Sequence, residues 1–116
     1  MKEQRARELV AAERARIHAA LDELGAGIRD DGALELQQTG ESESGSDLAS
    51  EMVDVAMIAD LQAELEAVGR AEERISAGTF GVSVESGRRI PVARLEAAPL
   101  AERTLEEQRV HEDEGR

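Results

Sequence analysis

Residues 47–77, DLASEMVDVAMIADLQAELEAVGRAEERISA, decide how this chain folds. Leu48, Met52, Val55, Ile58, Leu61, Leu65, Val68 and Ile75 recur at threes and fours over roughly four heptads, which draws one apolar stripe along a helix. Ser46 or Asp47 can cap its start, and Asp47, Glu51 and Asp54 set negative charge at the favourable end of the helix dipole. Gly78 is the stop signal after Ala77.

Toward the N-terminus a second stripe appears. Val10, Ile17, Leu21, Leu24 and Ile28 share one face of a helix running from about Lys2 to Arg29, whose last turn is weakened by Gly25 and Gly27. The intervening residues 30–46, DDGALELQQTGESESGS, break the period and read as a solvated loop. Leu34 and Leu36 are its apolar content and suggest a short turn of helix. Neither helix alone buries enough to persist, so the two are expected to fold back antiparallel and share a seam. The fold class is therefore mainly α: a long antiparallel helical hairpin, or coiled coil, over residues 1–77 with its loop near 30–46.

Toward the C-terminus the texture changes. TFGVSVESGRRI at 79–90 reads as two short strands around a turn at Glu85-Ser86-Gly87, where Gly87 is free to take a positive φ. Pro91 suits the first helical position of VARLEAA, and Pro99 ends that turn. A last acidic helix is expected from about Leu100 to Glu114, weakly amphipathic through Leu105 and Val110. Residues 78–116 thus form a second region.

Composition agrees with a narrow seam in place of a thick core. Among 116 residues there is one Phe, no Tyr and no Trp, so aliphatic side chains and Ala must do the packing. The formal net charge of −12 disfavours direct binding to nucleic acid or to an anionic membrane and favours a basic protein surface as partner. No apolar run approaches the ~20 residues needed to span a bilayer. The start, MKEQRARELVAAERAR, lacks the apolar stretch of a secretory signal, and the absence of Cys removes disulfides and thiolate metal sites. The cytoplasm is the expected compartment.

The run ISAGTFGVSVESGRRIPVARLEAAPLAERTLEEQ, at 75–108, resembles the DksA/TraR zinc-finger pattern. That pattern orders a helix end, G-x-(Y/F)-G-x-C-x-x-C-G, I-P-x-x-R-L-E-A-x-P and C-x-x-C-Q. Phe80, Gly81, Gly87, Ile90, Pro91, Arg94, Leu95, Glu96, Ala97, Pro99 and Gln108 fall on it without a gap. The resemblance implies a bacterial RNA polymerase regulator whose helical hairpin enters the secondary channel. It also implies a small zinc-finger-like β-hairpin and helix region after the coiled coil, followed by the C-terminal helix. The four zinc-ligand positions are Ser83, Ser86, Thr104 and Glu107 here, and three hydroxyls with one carboxylate are a poor zinc set. Zinc is therefore expected to be absent and no other cofactor is implied. Structural zinc contributes about 10–16 kcal/mol to folding where it is present. Compensation is expected from Ser83 and Ser86 bonding to the turn backbone, and from Phe80, Val82 and Ile90 packing on Leu95 and Leu105.

The same resemblance points to D-x-x-D-x-A near the hairpin tip, matched by Glu51, Asp54 and Ala56 in EMVDVA. Residues three apart share a helix face, so both carboxylates would project together and act by electrostatics inside a channel. The competing account is that both are ordinary acids of a helix N-terminus. Family members that respond to (p)ppGpp use basic residues at positions corresponding to Ala67, Ala98 and Gln108; none is basic here, so that nucleotide is not an expected partner. Arg88, Arg89 and Arg94 form the nearest basic cluster, suited either to the channel rim or to a solvated surface with Arg94 pairing Glu96 or a neighbouring acid. His18 and His111 suit solvent-facing or packing roles better than catalysis, and Glu107 with His111 makes at most a partial metal site.

No nucleophile with a base partner and no glycine-rich phosphate loop is evident, so an enzyme is not expected. The first function is a zinc-independent, monomeric transcription regulator. The rival is an acidic structural or adaptor coiled coil that keeps the fold without binding polymerase.

Overall fold

The computed structural model describes residues 1–28, 34–36 and 46–114, with side chains described for 1–26 and 52–114. The capping of the second long helix by Ser46 or Asp47 and the side chains of Leu48 and Glu51 lie outside them, as does most of the expected loop at 30–46.

Helix α1 spans Glu3–Glu23, stopping short of the expected Arg29. Leu24 N–H bonds both Ala20 and Leu21 carbonyls and Gly25 N–H bonds Asp22, which tightens the last turn. Gly25 then takes φ +77°, a conformation that turns the chain out of the helix. Strand β1, Ala26–Ile28, pairs antiparallel with β2, Leu34–Leu36, in the register Ala26↔Leu36 and Ile28↔Leu34. The helical turn expected at Leu34 and Leu36 is therefore a strand. Ala26 with Ile28 and Leu34 with Leu36 alternate at period two, a signal too short to stand out beside two long helical stripes.

Helix α2 spans Ser46–Ala77, 32 residues and so about 48 Å long. It ends as expected, with Gly78 at φ +75°. Gly78 N–H bonds Ile75 O at 3.2 Å and Thr79 N–H bonds Arg74 O at 2.8 Å, a Schellman closure that satisfies two orphan carbonyls. Helix α3 covers Val92–Ala97, and Pro91 precedes it at ψ 141° as the N-cap instead of occupying its first turn. Helix α4 covers Leu105–Glu114 and begins five residues later than expected, because residues 98–104 turn and carry contacts of their own.

The expected two strands around Glu85–Gly87 reduce to a single antiparallel bridge between Val82 and Arg89. Ser83 N–H bonds Arg88 O at 2.8 Å and Gly87 N–H bonds Ser83 O at 3.0 Å, so the turn closes at once. Val84 N–H bonds Glu102 O at 2.9 Å, a partner outside any ladder. Gly87 does adopt the expected positive φ, +73°.

The chain divides into two compact units, residues 14–67 and residues 1–13 with 68–116, so each takes one end of α1 and the opposite end of α2. The first unit buries Ile17, Leu21, Ala26 and Ile58, and Arg16 bridges to Glu64 at 3.3 Å. The second buries Ala6, Val10, Val68, Ala71, Ile75, Ile90 and Leu95. Met52 and Val55 leave the stripe drawn from the sequence: they are 66% and 63% exposed. Leu105, expected to pack under the turn, is half exposed, while Ile90 and Leu95 are buried as expected.

Polar contacts tie the second unit together. Arg5 clamps Glu96 with two bonds of 2.6 and 3.0 Å. Arg70 and Arg74, one turn apart on α2, both reach the Glu102 carboxylate at 3.0–3.1 Å. Burial opposes charge on Glu102, yet hydrogen bonding to Arg70 and the nearby Arg74 and Arg103 hold its pKa below the usual carboxylate range. Burial lowers the Arg74 pKa, with Glu102 opposing.

Candidate functional site

The four positions Ser83, Ser86, Thr104 and Glu107 meet in space and satisfy one another. Thr104 and Glu107 form a capping box at the start of α4. Thr104 N–H donates to Glu107 Oε1 at 3.0 Å, and Glu107 N–H donates to Thr104 Oγ1 at 3.3 Å. Across from it, buried Ser83 accepts from Glu85 N–H at 3.1 Å and Ser86 N–H at 3.3 Å, while Ser86 Oγ accepts from Arg88 N–H at 3.2 Å. Both serine hydroxyls lie close enough to the Glu107 carboxylate to favour its charged form. The Ser86 hydroxyl, then the Thr104 amide, with lesser help from the Ser83 and Thr104 hydroxyls, outweigh desolvation and draw the Glu107 pKa down to about 2. Glu107 is thus the centre on which three hydroxyl-bearing residues converge.

This set does not fit zinc. Its hydroxyls are neutral and already hold backbone amides, and its lone carboxylate already accepts the Thr104 amide. Among the described residues no group of three His, Asp or Glu side chains is placed to hold a metal. His111 approaches Glu85 at 4.0 Å. His18 Nε2 is buried without a hydrogen-bond partner among the described residues.

The tip residues lie on the first turns of α2. Glu51 is helical with its side chain outside the described residues, Asp54 is half-buried, and Ala56 is exposed. Around Asp54 the surface is apolar: Met52, Val53, Val55 and Met57 are all exposed. Arg88 and Arg89 are exposed. Arg94 does not pair with Glu96, which belongs to Arg5; its Nε donates instead to the Arg103 carbonyl at 3.0 Å. Gln108 Nε2 donates to Glu112, and Ala67 and Ala98 are half-buried. Sequence reasoning missed Glu102 with its two arginines. The Thr104-x-x-Glu107 spacing was a legible capping signal.

Among the described residues no helix is long and apolar enough to cross a membrane. No family model matches the chain. General stress protein 16O of Bacillus subtilis (strain 168) is 46% identical over 50 residues, a stretch covering 43% of this chain and 31% of that relative's length. The fold is DksA-like. The solved structure of the transcription factor DksA2 from Pseudomonas aeruginosa superimposes with a TM-score of 0.67 and 25% identity, over 97% of this chain and 84% of that one. The RNA polymerase binding protein and transcriptional regulator Dks from Chlamydia trachomatis L2 (LGV434) gives a TM-score of 0.42 and 28% identity, over 63% of this chain and 95% of that one.

Proposed function

We propose that this chain regulates transcription in the bacterial cytoplasm by binding RNA polymerase, with the turn between α1 and α2 as its working end in the secondary channel. The observation that carries this reading is the likeness to the transcription factor DksA2 along nearly the whole chain. The gapless run from Phe80 to Gln108 supports it from the sequence side. Exposed Met52, Val53, Val55 and Met57 around Asp54 give the tip the character of a surface that a partner covers. Glu51 and Asp54 would supply charge there, and no covalent step is required.

We further propose that the protein works without zinc. The amide bonds to the Ser83 and Ser86 hydroxyls and the reciprocal Thr104–Glu107 box offer a metal-free closure of the C-terminal turn, and a chain without Cys is indifferent to thiol oxidation.

The test is binding of the purified protein to bacterial RNA polymerase, coupled to a promoter transcription assay run with and without a zinc chelator. Wild type is expected to bind at micromolar concentration or tighter and to change transcript yield. The Glu51→Ala/Asp54→Ala variant is expected to lose the effect on yield while keeping the fold. Absence of wild-type binding would overturn the polymerase reading in favour of an acidic adaptor, and activity that fails only with chelator would overturn zinc independence.

A further inference from the structure

Most of the described arginines are spoken for. Arg5, Arg7, Arg16, Arg70, Arg74 and Arg103 each meet a carboxylate within 4.0 Å. On a protein with 26 acidic and 14 basic residues that is the expected fate of a guanidinium. Arg88, Arg89, Arg94 and Arg109 depart from it, since none makes an ion pair with a described residue. All four line one cavity of about 700 Å³. Glu106 is the one acid in that lining.

The cavity is walled by the end of the turn that the Val82–Arg89 bridge closes, by α3 and by the first turns of α4. Two features shape what it can hold. The arginines approach from different elements: Arg88 and Arg89 from the turn, Arg94 from α3 and Arg109 from α4. Arg94 is held in place through its Nε bond to the Arg103 carbonyl. Most of the remaining lining is apolar, including Pro91 and the 49%-exposed Leu105. A bare inorganic anion would use the guanidinium groups and leave that apolar wall in water. A segment of protein bearing carboxylates beside an aliphatic side chain would cover both.

We propose that this four-arginine pocket is a docking site for an acidic, leucine-bearing segment of a partner protein, with the guanidinium groups clasping its carboxylates and Pro91 and Leu105 covering its apolar side chain. The proposal goes beyond the polymerase reading and stands without it, because it concerns the chemistry of the segment and leaves open the protein that carries it. Charge complementarity is local. The chain as a whole, at −12, repels an acidic peptide, so any capture of one reports the pocket and not a general attraction.

The experiment is an NMR titration of the isotopically labelled full chain with an eight-residue peptide alternating glutamate and leucine, with inorganic pyrophosphate at matched ionic strength as the second arm. Peptide is expected to shift the amides of residues 88–98 and 104–109 and to leave those of α1 unmoved. Arg88→Gln/Arg109→Gln should weaken binding about ten-fold or more, as loss of two charge-assisted contacts requires. Leu105→Ser should weaken the peptide and not pyrophosphate. These side chains are exposed, so the variants should keep the wild-type spectrum elsewhere, and that spectrum is the check on folding. No shift with peptide, or shifts indifferent to the arginine changes, would overturn the proposal. Pyrophosphate binding at the same amides more tightly than the peptide, with Leu105→Ser without effect, would also overturn it and make the pocket a small-anion site. Retained polymerase binding in the Arg88→Gln/Arg109→Gln variant would leave the channel reading intact while separating it from this pocket.

Discussion

Residues 14–67 and the unit formed by residues 1–13 with 68–116 are of similar size and share the same two helices, yet they are held by different chemistry. The first closes on Ile17, Leu21, Ala26 and Ile58, with the Arg16–Glu64 pair on its exposed surface. The second also buries aliphatic side chains, and adds two carboxylate hubs: Glu102 between Arg70 and Arg74, and Glu107 among Ser83, Ser86 and Thr104. Where the chain runs as plain helix, the described core is aliphatic. Where it turns repeatedly in under forty residues, roughly the range in which small folds lean on staples, polar hubs take the stapling role.

Breaking the apolar side of this contrast should produce the largest effect. Leu21 is 1% exposed in the first unit, and Leu21→Ala should cost about 3 kcal/mol through lost burial and the cavity left behind. Urea unfolding gives the total. Amide exchange gives the location, with protection expected to fall in residues 14–26 and 55–67.

A smaller loss should follow from opening the first polar hub. The Arg74 and Glu102 side chains are 13% and 19% exposed, so Glu102→Gln leaves a largely buried guanidinium without its counter-charge. About 2 kcal/mol of destabilisation is expected, below the range for a fully buried pair because Arg70 remains half in water. The Glu102 carbonyl still accepts from Val84 N–H in that variant, which isolates the carboxylate's share. Double substitution with Arg74→Met should recover part of the loss, and failure to do so would mean the hub acts through packing and not charge.

How much of this was legible in the sequence differs by region for the same physical reason. Long apolar periodicity is redundant, so α2 is readable from Asp47 to its Gly78 stop, and the stripe of Val10, Ile17 and Leu21 is buried as its spacing predicts. Redundancy runs out at the edges. Met52 and Val55 keep the period but face water, since periodicity says which side chains share a face and not where the partner helix ends. Ala6 and Ala71 are buried at the seam and gave no signal, because Ala fills helices on every face. The family-like pattern identified the four positions now joined around Glu107, and weighing them only as lost zinc ligands left unread the capping box that Thr104 and Glu107 also spell. Glu102 was invisible because its partners lie 28 and 32 residues away, and no local pattern records a pairing of that kind.

The finest test separates the second hub from the first by pH. Hydrogen bonding to Ser86 and to the Thr104 amide holds the Glu107 pKa at about 2 against an ordinary 4.5, so the carboxylate binds fewer protons folded than unfolded. The stability it contributes is fully present above about pH 4.5 and is lost as pH falls toward 2. Glu96 and Glu102, also depressed, lose theirs in the same direction, so the wild-type acid transition is a sum over several carboxylates in one unit. Glu107→Gln keeps the size of the side chain and removes the titration. Amide exchange between pH 6 and 3 should then show residues 83–88 and 104–108 less protected than wild type at pH 6, with a shallower decline below that. The Leu21 region should follow the same profile in both proteins. An unchanged decline around Ser83 and Thr104 would mean the hydroxyls hold that turn by their amide bonds alone, and the contrast between the two units would then rest on Glu102.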